Sequence, residues 1–327
     1  MTVRPRIVTI GGGSGMSRVV QGLARLPIDL SVIVSTSDDG GSTGVLVREY
    51  GILSPGDIRQ NLSALSSHEA AAPLLEHRFV DGPIAGHPLG NLMVTAAFQK
   101  FGVEQGIETL RQLWGVSVDL SPGTLTPHGA MVRIDGVDVA GQFAVCYDPR
   151  LAKASEIQLS TNPSVSVNPR CPKVIAAADL ILIGPGNLYG TILWNFTYRG
   201  MVEALQSTRA RIVVMANLMN SKAQLPHGTV ADLIERIERV IGKLVTDVVY
   251  QDPPLSSDVL QKATDYETPV VGLGNLPSRV QAHPCDLIGA SPRLVATSDQ
   301  LKNVRTHIRH DPEKSATAVL QLLDKRR

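Results

Sequence analysis

Two groups of residues in this chain have the types and spacing to hold a phosphate-bearing ligand. The loop Gly11-Gly12-Gly13-Ser14-Gly15 follows a β-branched run at residues 6–10 and precedes an amphipathic helical segment. Backbone N–H groups in such a loop can approach a phosphate closely, and the start of a helix favours an anion. A second apolar run, residues 30–34, leads into the acidic pair Asp38-Asp39. This order of strand, loop, helix, strand and acidic pair predicts a ligand whose charge or bound metal is contacted by residues at the ends of two strands.

The glycine loop fits neither of the common phosphate-binding fingerprints. No Gly-Lys-Ser/Thr follows it, so it is not a P-loop, and Arg18 stands where the last glycine of a GxGxxG would be. A tight strand-to-helix turn without a ligand is the alternative interpretation. We favour ligand binding because four glycines among five residues exceed what a turn requires.

The acidic pair also has two interpretations. One carboxylate after a second strand is typical of ribose recognition in dinucleotide-binding folds. Two adjacent carboxylates allow one to face the ligand or a hard cation such as Mg²⁺, while the other caps the following turn. Asp38 and Asp39 are therefore candidate ligand residues and candidate metal residues, and a structural cap is the alternative for either one.

Further candidate positions lie at predicted strand ends or helix starts. Asp57 falls in the first turn of a predicted helix, where the helix dipole favours a carboxylate. The loop Gly184-Pro185-Gly186-Asn187 follows a predicted strand at residues 180–183, and Asn217 follows the next predicted strand. Turn chemistry alone explains Gly-Pro-Gly. The position after a strand nevertheless favours ligand contact.

Apolar runs alternate with helical segments along most of the chain. This alternation is typical of a mostly parallel sheet with helices on both faces, in which ligands bind beyond the carboxyl ends of the strands. We therefore predict one Rossmann-like, three-layer α/β domain over residues 1–327, with the loops after residues 10, 34, 183 and 215 converging on one edge. Further predicted strands cover residues 211–215, 245–250 and 269–271, and predicted helices cover residues 55–66, 69–79, 89–101, 103–114, 171–178, 198–207, 229–241, 259–263 and 312–323.

A change of pattern in the middle of the chain predicts an insertion. Short β segments broken by proline and glycine cover about residues 121–159. Residues 131–134 and 137–145 are predicted to form a hairpin around Asp135-Gly136, since Asp-Gly suits a type I′ turn. The sequence thus predicts a small β-rich insertion in an otherwise alternating α/β chain.

The composition argues against several classes of protein. With 31 Lys and Arg against 30 Asp and Glu, the net charge is +1. These charges are scattered along the chain, which argues against nucleic-acid and membrane partners. The three cysteines, Cys146, Cys171 and Cys285, form no CxxC pair, so neither a disulfide framework nor a structural zinc site is expected. A reduced, cytoplasmic setting is the simplest interpretation.

Several motifs together resemble the CofD/YvcK family. The segments GGGSGMSRVVQGL and STSDDGGSTGVLVREYGILSPGDIRQNLSAL are similar to the family's GGGTG loop, DDGGSSG turn and PPGDIR segment. GHPLGNL, ADLILIGPGNLYGTIL and RHDPEK continue the similarity in the family's order over nearly the whole chain. The extended DDGGSTG…SPGDIR form resembles the gluconeogenesis factor branch more than the 2-phospho-L-lactate transferase branch.

The resemblance implies a single cleft built from distant parts of the chain. Its phosphate loop is Gly11 to Gly15 and its acidic turn is Asp38-Asp39. The remaining residues implied are Asp57, Asn91, Gly184, Gly186, Asn187, Asn217 and the cation Arg309. Asn187 stands where the family usually has serine, and the segment after Asn217 departs from the family's pattern. These departures concern the sugar or nucleobase end of a ligand rather than its diphosphate end.

Two functions are implied by the resemblance. The first is a cytoplasmic regulator that binds a UDP-sugar such as UDP-N-acetylglucosamine and is linked, through protein partners, to carbon metabolism and cell shape. The alternative is a Mg²⁺-dependent transferase that moves a phospholactyl-type group from a nucleoside-diphosphate-linked donor to a deazaflavin acceptor. No catalytic residue is assigned, and a homo-oligomer is left open.

Overall fold

The computed structural model describes residues 4–289 and 307–324. Its strands are β1 (Arg6–Gly11), β2 (Asp29–Val34), β3 (Asp119–Pro122), β4 (Gly129–Ile134), β5 (Val137–Ala140), β6 (Ile157–Asn162), β7 (Leu180–Ile183), β8 (Arg211–Met215), β9 (Met219–Ser221), β10 (Asp247–Gln251), β11 (Glu267–Pro269) and β12 (Gln281–Cys285).

Its α-helices are α1 (Met16–Leu23), α2 (Gly41–Tyr50), α3 (Gly56–Leu65), α4 (Ala71–Glu76), α5 (Leu89–Phe101), α6 (Val103–Leu113), α7 (Gln142–Cys146), α8 (Arg170–Ala177), α9 (Met201–Ser207), α10 (Val230–Ile241), α11 (Ser257–Leu260) and α12 (Pro312–Asp324). A π-helical turn (Leu188–Ile192) and a 3₁₀ segment (Leu193–Thr197) lie between β7 and α9, and a further 3₁₀ turn (Pro149–Ala152) follows α7. Within residues 4–289 and 307–324, no helix is long and apolar enough to cross a bilayer.

Seven strands form the main sheet, in the order β12-β10-β8-β7-β1-β2-β3. Each described pairing in it is parallel. The chain adds β2 and β3 on one side of β1, and β7, β8, β10 and β12 on the other. The strand order therefore reverses between β1 and β7, and the connections after these two strands lead to helices on opposite faces of the sheet. Such a switch point leaves a crevice at the carboxyl edge of the sheet. The predicted mostly parallel, Rossmann-like sheet is confirmed.

The main sheet is buried between two layers of helices. In β7, Leu180 and Leu182 pack into one hydrophobic core, and Ile181 and Ile183 pack into the other. This follows from the period-two alternation of side chains along a strand. Helices α1, α3, α5, α6 and α12 contribute to the first core, and α8, α9 and α10 contribute to the second. The predicted three-layer α/β architecture is confirmed.

The β-rich insertion is a three-stranded antiparallel sheet in the order β5-β4-β6. The predicted turn joins β4 to β5, and Asp135 and Gly136 both have positive φ, of 46° and 84°, as a type I′ turn requires. The prediction is wrong at the start of the insertion and at the end of its hairpin. Residues 119–122 form the edge strand β3 of the main sheet. The predicted strand 137–145 ends at Ala140, because Gly141 has a φ of 93° and turns the chain into α7.

Several other elements differ from the prediction. Helix α2 begins within the glycines after the acidic pair, where the sequence predicts only a turn. Strand β12 is not predicted because it contains Pro284, which an edge strand tolerates since its outer N–H groups need no partner in the sheet. The predicted strand 269–271 lies outside the main sheet, where β11 pairs antiparallel with β9. Helices α4 and α11 are shorter than predicted, and α9 begins at Met201 rather than at residue 198.

The last helix packs directly against the first one. A Cβ on Gly22 of α1 would overlap the carbonyl oxygen of Pro312, the first residue of α12. Leu23 of α1 and Val319 of α12 are fully buried in the same core. The helix that follows the glycine loop is thereby fixed by the C-terminal helix.

Gly22→Ala is expected to lower the free energy of unfolding by about 1–3 kcal/mol, because the added methyl group forces the backbone of α12 away. The direction of this change in unfolding free energy is informative, since alanine would otherwise stabilise a helix interior by about 1 kcal/mol relative to glycine. Urea unfolding measures the change. The control Gln21→Ala, on the same helix, is expected to stay within about 0.5 kcal/mol of the starting protein. A stabilised Gly22→Ala variant would contradict the close contact between the two helices.

Candidate functional site

A cavity of about 290 Å³ lies on the carboxyl edge of the main sheet, at the switch point. The loops after β1, β2, β7 and β8 line it, as predicted, together with parts of α3, α7, the β9–β11 pair and the segment before α12. Most of the residues singled out from the sequence lie in its wall: Gly12, Gly13, Ser14, Gly15, Asp38, Asp57, Gly186, Asn187, Asn217 and Arg309. Gly11, Asp39, Asn91 and Gly184 are not part of this lining. Ligand contact stays a prediction for all of them.

The glycine loop is packed tightly against two other segments. A Cβ on Gly13 would lie 2.6 Å from Asp57 Oδ1 and 2.7 Å from Gln60 Nε2. A Cβ on Gly15 would lie 2.6 Å from the carbonyl oxygen of Pro185. The contact at Gly15 is with backbone, so glycine is required there by packing whether or not a phosphate binds, whereas the contacts at Gly13 are with the ends of two side chains that would have to move. A substitution at Gly13 would displace Asp57, so it would not separate loss of ligand contact from distortion of the loop.

Asp38 and Asp57 bring negative charge to the cavity. Asp38 Oδ1 accepts the N–H of Gly40 at 3.1 Å, and its Oδ2 lies 2.8 Å from the place that a Cβ on Gly56 would take. The carboxylate of Asp38 thus reaches the start of α3, next to Asp57. Burial, followed by the charges of the nearby aspartates, raises the pKa of the Cys146 thiol in the cavity wall. This cysteine is therefore a protonated, weakly nucleophilic group.

Asp39 faces the insertion instead of the cavity. Its Oδ2 accepts the N–H of Gln142 at 2.9 Å, and its Oδ1 accepts the N–H of Phe143 at 2.7 Å. These are the first two N–H groups of α7, so Asp39 caps a helix of the insertion. The turn that follows the acidic pair, which one of the two carboxylates was expected to cap, is bonded by Asp38 through the N–H of Gly40. Both oxygens of Asp39 are engaged, which disfavours a metal held by Asp38 and Asp39 together. In the described ranges no group of three or more His, Cys, Asp or Glu residues could hold a metal ion.

Asn91 lies behind the acidic turn. Its side chain is buried, and its Nδ2 donates to Ser42 Oγ at 3.1 Å. Ser42 Oγ in turn lies 2.9 Å from His87 Nδ1. These bonds join the start of α2 to the start of α5, which gives Asn91 a structural role.

Two asparagines in the cavity wall hold the loop after β7. Asn217 Oδ1 accepts the N–H of Gly186, and Asn217 Nδ2 donates to the carbonyl oxygen of Gly186, both at 2.9 Å. Asn187 Oδ1 accepts from the N–H of Gly190 at 2.6 Å and from Gln224 Nε2 at 2.7 Å. Both side chains therefore shape the wall by satisfying backbone groups of the loop.

The segment before α12 brings a cation to the glycine loop. The guanidinium of Arg309 donates to the carbonyl oxygen of Ser14. The adjacent His310 is buried and its Nε2 donates to the carbonyl oxygen of Ala216 at 3.1 Å. Burial, reinforced by the charge of Arg309, lowers the pKa of His310 to about 4. His310 is therefore neutral at pH 7, and Arg309 is the cation among the residues that line the cavity.

Sequence reasoning misses the walls made by α7 and by the β9–β11 pair. The ring centroids of Phe143 and Tyr147 are 5.1 Å apart, and those of Tyr147 and Tyr266 are 5.7 Å apart. These three residues, called the aromatic cluster below, join the insertion to the β9–β11 pair at the cavity. The sequence offers no discriminating signal here, since a four-residue spacing such as that of Phe143 and Tyr147 places two side chains on one face of a helix and of a strand alike.

Known proteins resemble this chain over nearly its full length. A family model described as 2-phospho-L-lactate transferase CofD matches residues 7–286. The chain is 30% identical to the gluconeogenesis factor of Bacillus subtilis over 333 residues, which cover 99% of both proteins. It is 36% identical to a putative gluconeogenesis factor of Lactococcus lactis over 253 residues, 75% of this chain and 77% of that one.

A solved structure shows the same fold. The crystal structure of a UPF0052 family member from Bacillus halodurans superposes with a TM-score of 0.84 at 27% identity, and the match covers 98% of this chain and 99% of that chain.

The buried, neutral His310 is expected to make stability fall as the pH is lowered. The unfolded chain takes up a proton near the ordinary histidine pKa of 6.5 and the folded protein only near 4, so the loss develops between these values and is complete below them. Between about pH 7.5 and about pH 5 this loss amounts to about 2 kcal/mol.

Urea unfolding of the protein and of His310→Asn at the two pH values isolates this contribution. The variant is expected to lose less stability than the starting protein over this range, whereas the control His227→Asn, at an exposed position, is expected to behave like the starting protein. Equal pH dependence in the His310 variant and the starting protein would show that this imidazole is not buried in its neutral form.

Proposed function

The chain belongs to the CofD family, alongside the gluconeogenesis factors that it matches over nearly its full length. From this membership we propose that it binds a UDP-sugar such as UDP-N-acetylglucosamine. In this proposal it acts in the cytoplasm as a regulator of carbon metabolism and cell shape, through protein partners that recognise the bound state. Binding is sufficient for such a role, since a sensor needs complementarity to its ligand and no selective stabilisation of a transition state.

The observation that carries the proposal is that one cavity combines two chemically different kinds of wall. The glycine loop and Arg309 provide N–H groups and a positive charge, and the aromatic cluster provides flat apolar surface. A nucleotide sugar has the two matching parts. Its diphosphate takes N–H donors and a cation, and its base stacks on aromatic rings.

The loop after β1 suits the diphosphate. The carbonyl oxygen of Gly13 accepts the N–H of Ser17 at 2.8 Å, so helical hydrogen bonding begins inside the loop and its N–H groups belong to the helix N-terminus, where anions are favoured. Arg309 adds a formal positive charge beside Ser14. Asp38 and Asp57 act against this by repelling an anion. A divalent cation between these carboxylates and the diphosphate would remove that repulsion.

Asp38 and Asp57 are the residues that fit such a cation. Mg²⁺ is commonly held by one or two carboxylates, with substrate phosphates and waters completing its coordination. Asp38 and Asp57 both line the cavity, so this requirement is satisfied without Asp39. We therefore propose that Mg²⁺ strengthens nucleotide binding.

The aromatic cluster suits the base. Phe143 is 40% exposed and Tyr266 is 47% exposed, so part of their ring surface is available to a ligand. Asn220, Ser221 and Gln224 line the same cavity and carry hydrogen-bonding groups. The cavity volume of about 290 Å³ is near the lower end of ligand pockets, about 300–1,000 Å³. A nucleotide sugar would therefore extend out to the mouth of the cavity and contact the exposed rings.

One observation favours a second candidate function, a Mg²⁺-dependent transferase of the 2-phospho-L-lactate transferase kind. The presence of Asp38 and Asp57 in the wall of one cavity suits a metal that neutralises a diphosphate leaving group. A transferase also needs room for its acceptor, a deazaflavin in that reading, beside the donor. We prefer the regulator because relatives that match nearly the whole chain are named gluconeogenesis factors.

UDP-N-acetylglucosamine is expected to raise the melting temperature in a thermal-shift panel, and to do so more than GDP. A ligand that binds only the folded state stabilises it by about 2.7 kcal/mol at a concentration of about 100 Kd. Mg²⁺ is expected to increase the shift. A preference for GDP with an absolute need for Mg²⁺ would favour the transferase, and no shift with any nucleotide would exclude both functions.

Arg309→Gln is expected to weaken binding of UDP-N-acetylglucosamine by about 10- to 100-fold, because a hydrogen bond to a charged group contributes about 1.5–3 kcal/mol. Isothermal titration calorimetry measures the change in Kd, and Arg309→Lys is expected to retain part of the affinity because it keeps the charge. The control is Arg25→Gln, which removes an exposed arginine that follows α1 and pairs with Glu313 of α12 at 3.0 Å. Equal affinities of Arg309→Gln and the control would show that Arg309 does not contact the ligand.

A further inference from the structure

We propose that Asp39 is a positioning residue that sets specificity for the nucleobase end of the ligand, by holding helix α7 so that the rings of Phe143 and Tyr147 stay in the cavity wall. The ligand part of this inference rests on the proposed function. The positioning part rests on the hydrogen bonds of α7 alone.

Helix α7 depends on Asp39 for its start. A helix of five residues is too short to be stable by itself. Its N-cap is Gly141, which has no side chain to accept the first N–H groups, and Asp39 accepts two of them, at 2.9 and 2.7 Å. A Cβ on Gly141 would lie 2.9 Å from Asp39 Oδ2. The carboxylate therefore lies directly against the backbone that it caps.

The other side of α7 is held by residues of the opposite half of the sheet. Gln142 Nε2 donates to the carbonyl oxygen of Gly190 at 2.5 Å. Gln224 Nε2 donates to the carbonyl oxygen of Cys146 at 3.0 Å, and it also donates to Asn187 Oδ1 at 2.7 Å. Helix α7 thus spans the switch point, with the turn after β2 at its start and the loop after β7 along its length. Removing the bonds to Asp39 would free one side of the helix and leave the other in place.

The rings that line the cavity are coupled to these bonds through the helix itself. The N–H of Phe143 donates to Asp39, and the ring of Phe143 is part of the aromatic cluster. Tyr147 follows one turn later and contacts Tyr266 across the cavity mouth. The glycine loop and Arg309 have no part in these bonds. A change at Asp39 is therefore expected to act on the base end of a nucleotide and to spare its diphosphate end.

The positioning part is tested by amide hydrogen exchange in the free protein. Asp39→Asn keeps one acceptor oxygen and places an amide NH₂ against the other N–H, so exchange at residues 142–147 is expected to become about tenfold faster. Exchange in β4 is expected to be unchanged. The control Asp138→Asn removes an exposed carboxylate of the same insertion, paired with Arg133 at 2.7 Å, and is expected to leave α7 protected. Unchanged exchange at residues 142–147 in Asp39→Asn would overturn the inference, whatever the protein binds.

The specificity part is tested by calorimetry with UDP-N-acetylglucosamine. Asp39→Asn and Tyr147→Leu are each expected to weaken binding by about tenfold, in line with about 1–3 kcal/mol for a base stacked on an aromatic ring. Both substitutions act through α7. The affinity of the double variant is therefore expected to be close to that of the single variant that binds less tightly. Additive losses, or full affinity in Asp39→Asn, would overturn the inference.

The two proposals fail in distinguishable ways. If the unaltered protein does not bind UDP-N-acetylglucosamine, the proposed function is wrong and the specificity role of Asp39 is overturned with it, while the exchange experiment still decides whether Asp39 holds α7. If the unaltered protein binds and Asp39→Asn binds equally well, only the specificity role is overturned. Should Asp39→Asn not fold, Asp39→Glu keeps both acceptor oxygens but displaces them by one methylene group, and is expected to show the same changes to a smaller extent.

Discussion

The close approach of three chain segments at the switch point is the constraint on which the rest of this structure depends. Strands β1 and β7 are neighbours, so the loops that leave them meet at the carboxyl edge of the sheet. A Cβ on Gly15 would press on the Pro185 carbonyl oxygen, and one on Gly13 would press on Asp57. Because glycine allows these close approaches, the start of α1, the start of α3 and the loop after β7 lie against one another in one arrangement. The cavity is the space that this arrangement leaves.

The sequence predicted those parts of the molecule that follow from local patterns. Strand β7 is apolar on both faces, and a run such as Leu180–Ile183 is typical of a buried parallel strand. Once β1, β2, β7 and β8 are recognised, the convergence of their loops follows from the parallel arrangement. Helix α7 could not be predicted in this way. Residues 137–145 are rich in valine, and β-propensity depends strongly on tertiary context, while the positive φ of Gly141 that ends the strand has no counterpart in the pattern of apolar residues.

The roles of polar residues at the strand ends were harder to predict than their positions. The sequence left two roles open for Asp39. In the structure its carboxylate accepts N–H groups more than 100 residues away, since Gln142 stands 103 positions further along the chain. Asn217 and Asn91 mainly satisfy backbone or side-chain groups of neighbouring elements. Backbone groups buried beneath a site need partners as much as a ligand does. A polar side chain after a parallel strand is therefore as well explained by the construction of the loop as by ligand contact.

The contact between Arg309 and Ser14 has a consequence for how the protein is made. The two residues are 295 positions apart, so the glycine loop is synthesised long before the arginine that completes its side of the cavity. Contacts of such large sequence separation form late, because chain entropy opposes them. The early strands and the glycine loop between them therefore have to fold on their apolar packing, before the contact with Arg309 can form.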